Sequence, residues 1–207
     1  MAIDMIVPLD RQGHSFPWVE LMKMIGGGLA FLIGLWQFRR AQRWKRVEFV
    51  AGEAEKFFND ESVKAALAML DWSQKSIALF RYRDPNDTRL IWVTYQLVAG
   101  SLSTNPNQTY DSKSTAIREI FDRFLTSIER FENFIQAGVV KESDLRPYFH
   151  YWTNLLSGSD KKSPRVTAEL LPQFWRFVTH YGYGKVVHFV KRYDNLATEL
   201  VPQNQED

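Results

Sequence analysis

Residues 24–36 form a run of 13 positions without one polar side chain, and this run constrains the fold more than any other feature. Thirteen residues are too few to cross a bilayer, and a buried core helix is the alternative. Extending the run back to Trp18 gives 19 residues, or roughly 27 Å of helix, against a hydrocarbon core of about 30 Å. The run therefore predicts one transmembrane helix over residues 17–38.

The residues at the edges of this segment agree with a membrane. Trp18 and Trp36 fall near the two predicted membrane–water interfaces, where indole rings are favoured. Trp44 lies eight residues after Trp36, beyond the second of these interfaces. Glu20 and Lys23 lie one helical turn apart near the outer end, so they can pair and extend towards the head groups. The three tryptophans are therefore predicted interface residues.

A basic cluster follows the segment within ten residues, whereas only Arg11 is basic before it. The cluster consists of Arg39, Arg40, Arg43, Lys45 and Arg46. The positive-inside rule places the N-terminus outside and the rest of the chain in the cytoplasm, as in a bacterial inner or other energy-transducing membrane. A cleaved signal peptide would carry its basic residues before the apolar run. We predict contact with lipid head groups; nucleic-acid binding helped by Trp44 is the alternative, and no nucleic acid is expected.

Small residues recur every four positions within the predicted span, at Gly26, Ala30 and Gly34. This spacing places them on one face of a helix, where they let a second backbone approach closely. Small residues are also common in membrane helices in general. The face is a predicted site of self-association or of docking to another membrane protein.

The remainder of the chain predicts an all-α fold with a bundle of about six helices. Apolar residues make up 45% of the sequence and charged residues 24%, which excludes wholesale disorder. The predicted organisation is an outer N-terminus over 1–16, the transmembrane helix over 17–38, a basic juxtamembrane helix over 39–58, a cytoplasmic helical domain over 59–196 and a polar tail over 197–207. The membrane helix is expected to continue without a break to about Phe58.

Apolar spacing and capping residues predict the individual helices. The second begins at Asn59 or Asp60 and ends near Phe80. The third covers 88–102, although residues 91–95 favour β structure locally. The predicted helices that follow begin at 111 or 112 and end before Gly138, begin at the cap Ser143 with Pro147 in the first turn, cover 167–181 with Pro172 either in the first turn or kinking the helix, and cover 185 to about 196.

No motif in the sequence indicates catalysis, a cofactor or a metal. There is no cysteine, so disulfides, thiol catalysis and thiolate metal sites are excluded. Gly182–Lys185 resembles the end of a phosphate loop but lacks its first glycine and its Ser or Thr. His180 and His188 can approach each other across this glycine turn, but a surface role is preferred. The helix after Asp111 carries four carboxylates that are predicted to lie on its polar face: Glu119, Asp122, Glu129 and Glu132.

Several short stretches carry a family resemblance. They are residues 117–125, 129–132, 138–140, 144–148 and 151–152. The region from about 57 to 193 resembles an uncharacterised family of bacterial membrane-anchored helical proteins, known as a domain of unknown function. The resemblance implies an α-helical domain after one N-terminal span, and it supplies no catalytic residues.

Two hypotheses about function follow. The first is a non-enzymatic, membrane-anchored interaction protein, an accessory, assembly or scaffold subunit of a membrane complex. Six aromatic residues could form a second interface, although most of them fall at core spacing: Tyr148, Tyr151, Trp152, Trp175, Tyr181 and Tyr183. Of these, Tyr151 and Tyr183 are predicted to be the exposed ones and therefore interface candidates. The alternative is a membrane-tethered sensor or effector, for example in stress or phage defence, with a ligand pocket among its helices.

Overall fold

The computed structural model describes residues 17–159 and 169–193, with side chains from residue 21 onwards. Predictions for 1–16, for the side chain of Trp18, for the start of the helix expected at 167 and for the polar tail lie outside this part. The chain divides into two compact units, Met1–Lys45 and Arg46–Asp207. Helix α1, Pro17–Asn59, begins in the first and ends in the second. The continuous helix predicted to about Phe58 is confirmed.

The first unit consists, in its described part, of helix α1 up to Lys45. Every described side chain from 21 to 45 is exposed. This is the opposite of what a core helix shows, because core helices bury their apolar side chains. Among the described residues, α1 is the one helix long and apolar enough to cross a membrane; an N-terminal signal sequence passes the same test of length and composition.

The second unit is helical, with one small sheet. It contains the end of α1, where Val50, Ala54 and Phe57 are buried. The elements that follow are α2 (Glu61–Asp71), β1 (Gln74–Ile77), β2 (Ile91–Thr94), α3 (Tyr95–Ser101), α4 (Ser112–Gln136), α5 (Glu142–Leu156), α6 (Leu171–His180) and α7 (Gly184–Tyr193). The all-α prediction is confirmed, and six helices follow α1 in the described part of the chain. Residues 50–57, which the sequence assigned to a juxtamembrane helix, contribute to this core.

Helix α4 is the centre of the unit and packs against α2, α3 and α7. It begins where the Asp111 carboxylate accepts the backbone N–H of Ser114 at 2.7 Å. It ends at Gln136, and Gly138 beyond it has a φ of +69°, the left-handed conformation expected after a helix. The Val139 N–H then returns to the Phe134 carbonyl at 3.0 Å. Both predicted ends of this helix are confirmed.

The core beside α4 is largely aromatic. The ring of Phe149 on α5 lies 5.2 Å from Phe57, 4.8 Å from Phe131 and 5.2 Å from Phe189, measured between ring centroids. All four rings are at most 3% exposed. Edge-on and tilted ring contacts of this kind add to the stabilisation from burial alone. Phe149 on α5 therefore contacts rings from three other helices, α1, α4 and α7.

Two predicted helices are corrected by a two-stranded sheet. The helix expected to reach Phe80 ends at Asp71, because Trp72 is extended with φ −119° and ψ 126°. Part of the helix expected over 88–102 is strand β2, which pairs antiparallel with β1 so that Ser76 lies opposite Trp92. The β-branched residues of 91–94 favour a strand, pairing with Gln74–Ile77 completes it, and burial of Ile77 and Val93 holds the sheet against the core. Thr94 then caps α3.

One further helix start differs from the prediction. Helix α5 begins after Lys141 rather than at Ser143; the Lys141 N–H donates to the Asp144 carboxylate at 3.0 Å, so Asp144 satisfies the helix start from inside. Pro147 consequently lies beyond the first turn. Helix α6 starts at Leu171, with Pro172 in its first turn as predicted.

Candidate functional site

The largest exposed apolar surface of the described chain is on α1. Eleven large apolar side chains between 21 and 38 are exposed: Leu21, Met22, Met24, Ile25, Leu29, Phe31, Leu32, Ile33, Leu35, Trp36 and Phe38. They surround the helix on all sides, because the exposed run is continuous. Soluble monomers rarely expose contiguous apolar patches of more than a few hundred Å². This segment is therefore the strongest candidate for a functional surface.

The small-residue face of α1 is unobstructed. Ala30 is exposed, and a Cβ added at Gly26 or Gly34 would meet no other atom within 4 Å. The helix backbone is thus accessible along this face over two turns. Such a face permits close approach of another helix, which is what packing between membrane helices requires.

Aromatic and basic side chains meet at the C-terminal end of the apolar segment. The Arg40 guanidinium lies 5.3 Å above the Trp36 ring, and Trp44 is 67% exposed. Arg39, Arg43 and Lys45 are also exposed. A stacked indole and guanidinium suit a head-group layer, which offers both apolar and anionic contacts. Lipid contact at these residues remains a prediction.

Arg46 differs from the other members of the basic cluster. It belongs to the second unit, is only partly exposed, and its Nε lies 2.7 Å from Oδ2 of Asp144. The N–H is not aligned with an acceptor, so the contact is electrostatic rather than a well-formed hydrogen bond. This arginine is already engaged by a carboxylate of the compact unit.

The two tyrosines predicted to be exposed have different environments. Tyr151 is exposed, its hydroxyl donates to the Asp71 carboxylate, and its ring meets that of Trp152 edge-on. Tyr183 is only partly exposed, because its hydroxyl donates to Asp122 at 3.1 Å across to α4. Burial and this carboxylate raise the pKa of Tyr183 to about 12. Its expected high exposure is therefore corrected.

Glu132 is the main departure from the predicted polar face of α4. Its side chain is fully buried. It accepts two hydrogen bonds of 2.8 Å from Nε and Nη2 of Arg192, and a third of 2.9 Å from Gln136. The sequence did contain a signal, because Glu132 follows the core residues Phe124 and Ile128 at four-residue spacing. Its partner Arg192, 60 positions later, carried no such signal in the sequence.

Two of the other α4 carboxylates, Glu119 and Asp122, also bind the elements around them. Glu119 accepts the Tyr82 hydroxyl and pairs with Arg83, and these hydrogen bonds lower the pKa of the Glu119 carboxyl. Burial and Glu119 raise the pKa of Tyr82 to about 12. Burial raises the pKa of Asp122. Tyr82 and Tyr183 are thus neutral hydrogen-bond donors at physiological pH. Their hydrogen bonds to Glu119 and Asp122 hold the neighbouring loops against α4, and neither pair has the arrangement of a nucleophile with its base.

A cleft of about 510 Å³ opens near the ends of α3 and α6, lined by residues that include Ser103, Gln108, Glu169 and Arg176. It is open and mainly polar. Beside it, Arg118 donates to the carbonyls of Ser101 and Ser103 at 2.8 and 2.9 Å, which closes the adjoining loop onto α4. The cleft shows no arrangement of groups that indicates a particular ligand.

The turn that suggested a ligand site connects α6 to α7. Gly182 has a φ of +78°, which only glycine adopts easily. Lys185 donates to Asn133 at 2.6 Å. His180 and His188 are both exposed, and His180 lies against the Tyr181 ring. Within residues 17–159 and 169–193 no three His, Asp or Glu residues are grouped so that they can hold a metal ion.

Comparisons with known proteins place no further constraint on this site. No family model, no curated protein and no solved structure matches the chain. The resemblance to membrane-anchored helical proteins therefore stays a prediction, and the functional argument rests on the geometry of the chain itself.

Proposed function

We propose that this chain is a membrane-anchored interaction protein without enzymatic activity, an accessory, assembly or scaffold subunit of a membrane protein complex. One observation carries the proposal: the apolar residues of α1 from Leu21 to Phe38 are all exposed, while the compact unit that follows has a complete core of its own. The exposed surface is thus not left over from an incomplete fold. The exposed apolar surface of α1 is unfavourable in water and favourable in the hydrocarbon of a bilayer.

The energetics of insertion support an anchor. Each Leu, Ile or Phe near the centre of a transmembrane helix favours insertion by about 0.3–0.6 kcal/mol. Lys23 is the one charged residue between 21 and 38, and it lies near the end, where its long side chain can reach the head groups. By the positive-inside rule, Arg39, Arg40, Arg43 and Lys45 mark the cytoplasmic end, which leaves the helical unit in the cytoplasm.

Alkaline extraction of membranes tests the anchor. We expect the full chain to stay in the membrane pellet, as integral proteins do, and the variant Leu29→Lys/Ile33→Lys to move mostly into the supernatant. Two lysines at the centre of the span each cost about 2.5–3.5 kcal/mol, which exceeds the gain from several apolar residues. The pelleted fraction is measured by immunoblotting.

The matched control carries the same two lysines at exposed loop positions, Asn107→Lys and Thr109→Lys, and should remain in the pellet. Release of the unaltered chain by alkali would contradict the anchor. Because the chain has no cysteine, a single Lys113→Cys reports orientation: labelling by a membrane-impermeant maleimide in intact cells would contradict a cytoplasmic unit.

The small-residue face gives the interaction its proposed location. We expect Gly26→Leu/Gly34→Leu to remain in the membrane but to lose most of its self-association or its co-purifying membrane proteins, because the added side chains hold the neighbouring backbone away. Energy transfer between labelled chains in bilayers and mass spectrometry of mild-detergent extracts measure these two losses.

Gly28→Leu is the matched control, since Gly28 lies on the opposite side of α1 from Gly26 and a Cβ there also meets no atom within 4 Å. Equal association of Gly26→Leu/Gly34→Leu and Gly28→Leu would exclude this face as the contact. A monomer with no co-purifying protein under either condition would argue against the whole proposal.

A further inference from the structure

Four exposed residues at the C-terminal end of the apolar segment of α1 lie on one face of the helix. They are Trp36, Arg39, Arg40 and Arg43. Successive residues of a helix are rotated by about 100°, which places all four within an arc of about 100° and within about 10 Å along the axis. We call these four residues the arginine face. Lys45 lies outside it, about 160° around the helix from Arg43.

The charges of the arginine face are not neutralised within the described part of the chain. No ion pair joins Arg39, Arg40 or Arg43 to another described residue, whereas Arg46 is paired with Asp144. The sequence has no acidic residue between positions 21 and 47. All residues of the arginine face belong to the first compact unit. Three guanidinium groups on one surface are therefore available to an external anion.

The direction of the side chains brings these groups back towards the apolar segment. The Cα–Cβ bonds of a helix tilt towards its N-terminus, and the Arg40 guanidinium accordingly lies 5.3 Å above the ring of Trp36, one turn earlier. Arg39 and Arg43 are also one turn apart, so their side chains are neighbours on the helix surface. A guanidinium presents its N–H donors in a planar fork that suits two oxygens of one phosphate.

The occupant that fits this face is a phospholipid with a net negative charge. Exposed large apolar side chains of α1 extend as far as Phe38, so an anion at the arginine face has a surface beside it that favours acyl chains. A nucleic acid offers no apolar part for that surface. A zwitterionic phospholipid carries its own ammonium group, which repels the arginines. An anionic phospholipid supplies both the uncompensated phosphate and the acyl chains.

We propose that the arginine face is a binding site for an anionic phospholipid. Arg39 and Arg43 donate hydrogen bonds to the phosphate oxygens, and Trp36, stacked under Arg40, packs against the glycerol and the first acyl carbons. The inference rests on the proposed anchor, and it goes further than a general attraction between a basic cluster and a charged leaflet. A general attraction depends on the number of basic residues, whereas this site depends on the side of the helix that they occupy.

Spin-labelled lipids test this site in the full chain. The chain is reconstituted into phosphatidylcholine vesicles, and flotation first shows that it is anchored. A trace of phosphatidylglycerol or phosphatidylcholine, each spin-labelled on an acyl chain, is included in parallel samples. The motionally restricted fraction of the electron paramagnetic resonance spectrum then gives the relative affinity of the two lipids. We expect a several-fold preference for phosphatidylglycerol, since each basic residue near an anionic lipid surface contributes about fivefold.

Variants that move a charge without removing it assign the preference to the arginine face. Arg43→Gln should reduce the preference by about twofold or more. Arg43→Gln/Ala41→Arg, which restores the net charge on the opposite side of α1, should show the same loss. Trp36→Leu should also weaken the preference, while Phe38→Leu, on the other side of the helix, should not.

The outcomes that contradict the site are distinct from those that contradict the anchor. A full preference in Arg43→Gln/Ala41→Arg would overturn the site in favour of a general attraction between charges. An unaltered chain that floats but shows no preference for phosphatidylglycerol would overturn the site and leave the anchor intact. Failure to float would overturn the anchor and this site together, and is seen before any spectrum is recorded.

Discussion

Replacing Phe149 by alanine is expected to destabilise the compact unit by about 3–5 kcal/mol, a large part of the 5–15 kcal/mol typical of a domain. The reason is the position of its ring, which contacts Phe57, Phe131 and Phe189 from three other helices at 4.8–5.2 Å. The cavity left behind is bounded by large rings anchored in separate helices. This cavity cannot close by the movement of one neighbouring side chain. The loss of unfolding free energy should therefore be larger than for the same substitution at a site that can collapse.

Pulse proteolysis of the full chain in mild detergent across a urea series measures this loss. With a urea dependence of about 1–3 kcal/mol per molar, the midpoint should fall by about 2 M. Tyr148→Ala removes an aromatic ring one residue earlier on an exposed position and should change the midpoint little. Similar midpoints for Phe149→Ala and Tyr148→Ala would show that the aromatic cluster does not carry the stability of the unit.

Removing Arg192 should also destabilise the compact unit, for an electrostatic reason. Arg192→Ala leaves Glu132, which is fully buried, with one hydrogen bond from Gln136 and no counter-charge. Breaking a fully buried pair by deleting one partner typically costs about 3–5 kcal/mol, because the remaining charge has lost both water and its partner. Here 34% of the Arg192 side chain is exposed, so water can approach the vacated position and the cost should lie near or below the lower end of that range. The two 2.8 Å bonds of the present pair indicate that this partner is well placed.

The double variant Glu132→Leu/Arg192→Leu distinguishes the effect of leaving Glu132 without a counter-charge from the effect of losing the Arg192 side chain. It removes both charges, so its stability should lie well above that of Arg192→Ala and closer to the unaltered chain. Glu129→Ala, one turn earlier on α4 and outside the core, serves as the control, with an expected change below about 1 kcal/mol. A double variant no more stable than Arg192→Ala would mean that Glu132 does not depend on its partner. Thermal unfolding in detergent provides the comparison.

The strongest sequence patterns predicted the fold best where local signals agreed with one another. Helix α4 has an acidic cap at Asp111, a sustained apolar stripe and a glycine at its end, and all three features are found where expected. The long helix α1 was likewise predictable from its continuous run without Pro after residue 17. In these segments local propensity, spacing and termination favour the same answer.

The predictions from sequence were wrong where the conformation or burial of a residue depends on a partner far away along the chain. Residues 91–94 have β propensity but too few positions to outweigh their helical neighbours; they become a strand only because Gln74–Ile77 lies alongside. Glu132 is buried because Arg192 reaches it from α7, and Tyr183 is shielded because Asp122 accepts its hydroxyl. Such partners lie 14 to 61 residues apart along the chain, and no spacing rule for a single element detects them.

The part of α1 that enters the core has a consequence for the order of events during synthesis. Val50, Ala54 and Phe57 are synthesised soon after the apolar segment, but the aromatic cluster that covers Phe57 also includes Phe189 on α7. Folding of the unit must therefore wait until residue 189 has been synthesised, as is expected when early and late segments share a core. For a chain anchored as proposed, membrane insertion precedes this closure. A chain that fails to fold would then keep its apolar core segments exposed beside the bilayer to which it is anchored.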